Sequence, residues 1–141
     1  MNKPNKILEK LIGYKFRNKN LLLEALTHPS YRHEINPNGE DNQRLEYLGD
    51  AVLGLITADN LYHEYLNESE GKLSSIRSWY TKDETLFEIA KEIDLGSYIL
   101  FGKGELINNG SKKLSNLADC LEAIIGASWL DGCLLYTSPS P

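Results

Sequence analysis

Four carboxylates in this chain sit where carboxylates are hard to keep. In NQRLEYLGDAVLGL (residues 42–55), Glu46 and Asp50 are four apart, so on a helix one stands above the other. In LSNLADCLEAIIGASWL (residues 114–130), Asp119 and Glu122 are three apart and again share a face. Both segments are otherwise rich in apolar and small residues. Ionised carboxylates crowded in poor solvent need a cation between them, or one must take up a proton. If the two helices pack together, all four acids converge. An oxygen-only donor set without His or Cys selects a hard divalent cation, Mg²⁺ or Mn²⁺, over zinc. Such a centre is suited to phosphodiester hydrolysis.

Two elements must position these groups. The first is a long helix over about residues 42–66, with Leu45, Leu48, Val52 and Leu55 as its expected buried stripe. Gly49, between the two acids, leaves room for close approach. Arg44 is expected to act as a structural counter-ion to an acid, and the later part carries Ile56, Leu61, Tyr62 and Tyr65. The second is a helix with Leu114, Leu117, Leu121, Ile124 and Ser128 on one stripe, capped by Ser115 or Asn116.

The remaining segments read as shorter helices around this pair. Residues 4–12 form an amphipathic helix with Ile7, Leu8 and Leu11 inward, stopped by Gly13. Asn18 or Asn20 caps a helix through Leu26 that ends before Pro29. His28 reads as a turn residue with structural hydrogen bonds in preference to an acid–base group. Residues 32–41 read as a surface loop. Glu70 opens a helix with Leu73, Ile76 and Tyr80 inward and Lys72, Arg77 and Lys82 outward, where the cations could meet phosphates. Asp83 caps the next helix, with Leu86, Ile89, Ala90 and Ile93 as its apolar face. Residues 102–110 read as a flexible turn. They lack the strand–helix context of a nucleotide-binding loop, so no nucleotide cofactor is expected.

At 141 residues the chain suits one all-α domain. No apolar run approaches the roughly 20 residues of a membrane span, and the amino end is unlike a signal peptide. The expected location is cytoplasmic. Cys120 and Cys133 have no metal-ligand spacing, and Cys120 reads as an unpaired buried thiol. Fifteen Lys and Arg against twenty Asp and Glu give a net charge of −5, awkward for a partner built of phosphates. Such a chain should grip nucleic acid weakly by itself.

The segments NQRLEYLGDAVL and LADCLEAIIGA resemble the two signature segments of the ribonuclease III family of double-stranded-RNA endonucleases. ALTHPSY, EGKLSSIRS and the GKGE turn also resemble family segments, in the family's order, and the likeness spans roughly residues 7–132. The resemblance implies a ribonuclease III endonuclease-like helical domain. It further implies a Mg²⁺-dependent homodimer, with Mn²⁺ able to substitute, that cuts duplex RNA to 5′-phosphate and 3′-hydroxyl ends. The expected targets are ribosomal RNA precursors and structured messengers.

By this resemblance Glu46, Asp119 and Glu122 are direct metal ligands, and Asp50, with Glu122, serves catalysis. Glu70 matches an accessory family acid, and Lys112 and Lys113, entering the acidic helix, are expected to help hold the scissile phosphate. Tyr47 matches an aromatic that enters a pocket of a second subunit. Gln43 departs from the family, which often has Glu there. Residues 133–141 have no family counterpart and resemble translated sequencing adaptor. The expectation is therefore a domain over residues 1–132, a non-native or disordered tail, and a missing last helix. Two rival readings are a non-catalytic RNA-binding or ribosomal scaffold of the same fold, and a small family member that trims ribosomal RNA.

Overall fold

Gly49 and Gly126 are both buried, and they decide how closely the two long helices cross. In the computed structural model, which describes residues 3–136, these helices are α4 (Gln43–Glu64) and α8 (Leu114–Tyr136). Around them lie α1 (Lys3–Ile12), α2 (Lys19–Ala25), α3 (Pro29–Ile35), α5 (Glu70–Thr81), α6 (Asp83–Glu92) and α7 (Lys103–Ile107). Two 3₁₀ turns, Leu95–Ser97 and Gly110–Lys112, complete the order. No strand occurs among the described residues. Thr27 and Leu100 make one isolated parallel bridge. The all-α expectation is borne out. None of the described helices is long and apolar enough to cross a membrane.

α8 is the axis of the core. Its Leu117, Ala118, Cys120, Ala123, Ile124 and Ala127 are buried against residues of α2, α4 and α6. The Cys120 thiol is free and fully buried, as expected, and donates to the Ala25 carbonyl at 3.4 Å. α2 is capped by Asn18, whose side chain accepts from the Asn20 amide, one of the two expected caps.

Several expectations need correction. On α1 only Leu8 of the three proposed core residues is buried. Ile7 and Leu11 are half exposed, and Glu9 turns inward instead. On α4 the buried line runs Leu45, Gly49, Val52 and Leu61, while Leu48 is intermediate and Leu55 is exposed. The stripe was misplaced because a glycine can be the core-facing residue of a helix. The charge of Arg44 opposes the rise in pKa that burial and Glu40 impose on Glu24.

The stretch read as a loop from Arg32 begins inside α3, which Pro29 starts at its first turn with His28 as N-cap. No residue of α5 is fully buried. Leu73 and Ile76 are intermediate and Tyr80 is exposed. Lys82, not Asp83, holds the N-cap position of α6, and Asp83 is its first helical residue. On α6, Leu86 and Ala90 are buried, whereas Ile89 is exposed. The expected flexible turn after Phe101 is α7 followed by a 3₁₀ turn, with Asn109 left-handed at φ 62°.

Ser115 and Asn116 lie inside α8 and are not its caps. Asn116 instead donates to Glu105 at 2.9 Å and to the Gly110 carbonyl at 3.0 Å. α8 continues through Leu130-Asp131-Gly132 to Tyr136. Of the proposed tail, residues 137–141 lie outside the described residues.

Asp131 anchors this part of α8. Its side chain is 2% exposed and faces the α1–α2 connection, where it accepts from Tyr14 Oη at 2.7 Å, the Arg17 amide at 2.8 Å and the Asn18 amide at 2.9 Å. Burial would raise its pKa, but the Arg17 amide, the Tyr14 hydroxyl and the Asn18 amide outweigh burial and hold it below the usual range.

Candidate metal centre

The acids come from adjacent turns of two helices held close by glycine. A Cβ on Gly49 would fall on the Glu122 carbonyl, and one on Gly126 would fall on the Leu45 carbonyl. Nothing larger fits at this crossing. Glu46 lies one turn before Gly49 and Glu122 one turn before Gly126, so the crossing sets the two side chains against each other. Glu46, Asp119 and Glu122 each offer an oxygen within 4.8 Å of the others. These are the three residues expected as metal ligands.

Their electrostatics fit a site built for a cation. The Glu46 carboxyl is pushed up to about 7, first by burial, then by the charges of Asp119, Asp83 and Asp50 and a hydrogen bond with Asp119. Glu122, 6% exposed, is pushed up to about 8 by burial, then by a hydrogen bond with Asp50 and the charges of Asp50, Asp83 and Glu46. Asp119 is also raised, by burial and then by Asp83, while nearby His28 and the hydrogen bond between Asp119 and Glu46 pull it back. The acids therefore pair as Glu46 with Asp119 and Glu122 with Asp50. A divalent cation would replace the shared protons, and three converging carboxylates are a hard-cation donor set.

Asp50 belongs to the group through Glu122 but is exposed. Asp83, exposed at the start of α6, lies outside the three-acid cluster but near enough for its charge to be felt there, a proximity that sequence reasoning missed. Its charge raises the pKa of Glu46, Asp119 and Glu122 alike. It had been read only as a helix start, and no spacing links it to acids 36 to 39 positions away. Glu70 is exposed in the first turn of α5, and it is not one of the three acids that share the 4.8 Å cluster.

Beside the acids runs a polar chain. The Ser30 amide donates to His28 Nδ1 at 3.0 Å, which leaves Nε2–H to donate to Asn116 Oδ1 at 3.1 Å. Lys113 Nζ donates to Glu105 at 3.0 Å, so its charge is shared with an acid. The reading of His28 as a structural turn residue is borne out. Tyr47 is 82% exposed on α4.

The sequence profile described as Ribonuclease-III-like matches residues 18–137. The chain belongs to the ribonuclease III family. Two solved structures of the nuclease domain of ribonuclease III from Campylobacter jejuni share its fold. One has a TM-score of 0.86 and 39% identity over 96% of this chain and 88% of that one. The other has a TM-score of 0.84 and 40% identity over 92% and 87%. Among curated ribonuclease III relatives, Ribonuclease 3 of Borreliella afzelii is 50% identical over 87% of this chain and 50% of its own length. Ribonuclease 3 of Carboxydothermus hydrogenoformans is 46% identical over 93% and 57%. The chain thus spans about half the length of the curated relatives it matches.

Proposed function

We propose that this chain is the endonuclease part of a Mg²⁺-dependent ribonuclease III that cleaves both strands of duplex RNA, leaving 5′-phosphate and 3′-hydroxyl ends. The observation that carries the reading is the convergence of Glu46, Asp119 and Glu122 within 4.8 Å. A scaffold has no use for three acids held together against their own repulsion.

Glu46, Asp119 and Glu122 hold the cation, losing the protons that Glu46 and Glu122 otherwise keep near neutral pH. A divalent ion there supplies Lewis acidity for phosphodiester hydrolysis, and Mn²⁺ serves in its place. Asp50 is exposed at the rim, where its carboxylate orients the attacking water and accepts a proton. Lys113 leaves Glu105 for the scissile phosphate, and Glu70 is an accessory acid. Lys72, Arg77 and Lys82, all exposed, touch phosphates across the minor groove, reading shape more than sequence.

One Campylobacter jejuni structure is described by flexibility in a region involved in dimer formation of the nuclease domain. We read the present chain as a homodimer, with Tyr47 anchored in its partner. Its substrates are ribosomal RNA precursors and structured messengers, in the cytoplasm.

The test is cleavage of a long RNA duplex in Mg²⁺ by wild type and by Glu122→Gln. Wild type should cut and the variant should lose at least a hundredfold in rate with its helical spectrum intact. Equal rates would remove Glu122 from the site, and an inactive wild type that still binds duplex would favour the scaffold.

A further inference from the structure

The cations of this chain are not spread evenly. Residues 1–19 carry six Lys and Arg and one acid, a net of +5, while residues 20–141 carry nine against nineteen, a net of −10. Folding concentrates this charge further. Lys6 and Lys10, one turn apart, are exposed on the same face of α1. Gly13, at φ 75°, turns the chain back so that residues 15–19 return past α1. Glu9 fixes the return, accepting from the Phe16 amide at 2.7 Å and from Lys19 Nζ at 2.9 Å. Lys15 and Lys19 then complete, with Lys6 and Lys10, the walls of an open cleft of about 650 Å³.

Four ammonium groups around one cleft repel, and the cleft has one acid, Glu9, already paired with Lys19. The fold nevertheless clamps the α1–α2 connection with the buried Asp131 and its three hydrogen bonds. A preformed basic hollow on an otherwise acidic protein is an anion site. We propose that the Lys6–Lys10–Lys15 cleft is a second hold on RNA, gripping the phosphate backbone of a duplex away from the cleavage centre. Asp131 lies nine residues along α8 from Glu122, about 14 Å and half a turn round that helix. The cleft is therefore separate from the acids and contributes affinity without entering the chemistry. A phosphate polymer fits it better than a membrane plane because the lysines line a concavity. The identity of the polymer as duplex RNA rests on the function proposed above.

The test is a Lys6→Gln/Lys10→Gln/Lys15→Gln variant, with Lys19 kept because it pairs with Glu9. Binding of a fluorescent RNA duplex is measured by anisotropy across KCl concentrations, without divalent ions, beside circular dichroism and thermal melting. The variant should melt as wild type does, bind about tenfold or more weakly at 100 mM KCl, and lose about 2 to 3 from its log–log salt slope. In Mg²⁺ its KM on a long duplex should rise with kcat unchanged. Unchanged affinity and slope would overturn the proposal. So would wild type that binds phosphatidylserine vesicles through these lysines but binds duplex no better than the variant does. A wild type that binds duplex through this cleft yet never cuts it would sink the nuclease reading and leave the cleft standing.

Discussion

Gly49 of α4 and Gly126 of α8 meet backbone to backbone, and this contact sets the separation of the acids. A Cβ on Gly49 would stand 3.0 Å from the Gly126 amide nitrogen and would overlap the Glu122 carbonyl. The carboxylates gather because the helices beneath them have no side chains in the way.

Gly49→Ala should therefore damage the site more than its size suggests. Forcing a methyl between close-packed backbones costs about 1–3 kcal/mol and must push α8 outward. Lower melting temperature together with weaker Mg²⁺ binding by calorimetry is the expected pair of results. A variant that melts lower but binds the ion normally would mean that the crossing does not set ligand spacing.

The raised carboxyls make the metal-free protein sensitive to base. Glu46 near 7 and Glu122 near 8 lie above their unfolded value of 4.5, so their contribution is full only below about 4.5, declines as pH rises from there, and is lost once pH has passed 7 to 8. The metal-free melting temperature should fall between about pH 5 and 8 and level off above that, and saturating Mg²⁺ should flatten the fall. Mg²⁺ binding near pH 7 should also release protons, measurable as a buffer-dependent heat.

Asp131 titrates with the opposite sign. Its folded pKa is depressed, so its contribution is present above about 4 and lost as pH falls through the folded value. Asp131→Asn, with one acceptor oxygen for three donors, should cost about 2 kcal/mol at pH 7 in urea unfolding. The cost should shrink as pH falls through the depressed folded value, where the wild-type group itself takes up a proton.

Tyr47→Arg should separate the proposed dimer. A buried aromatic anchor contributes about 2 kcal/mol or more to an interface. Sedimentation velocity should then show a shift towards monomer at micromolar concentration, with the melting of each protomer little changed because Tyr47 supports no core contact. An unshifted profile would move the interface elsewhere.

How much of this was legible in the chain depends on the range of the interaction. The acids at i, i+4 and i, i+3, and the small residue between Glu46 and Asp50, are local features, and the structure puts Glu46, Asp119 and Glu122 together as the spacing suggested. Other features depend on partners distant in sequence. Leu55 fits an apolar period yet is exposed, because the core face of α4 is continued by Gly49 and not by a leucine. α3 was hidden by Pro29, which reads as a stop although proline also starts helices. The role of Asp131 was hidden because its partners Arg17 and Asn18 lie more than a hundred residues away. The nearness of Asp83's charge to the acid cluster was equally invisible.

The thiol of Cys120 turns this packing into a clock. Burial and the neighbouring Asp119 push its pKa up, so a closed molecule offers alkylating reagents almost no thiolate. Modification at that position, followed by peptide mapping, counts the moments when α8 lifts away from Ala25. Because Asp119 is its neighbour in the chain, a cation that ties α8 to α4 should slow the clock, giving a readout of site closure that needs no substrate.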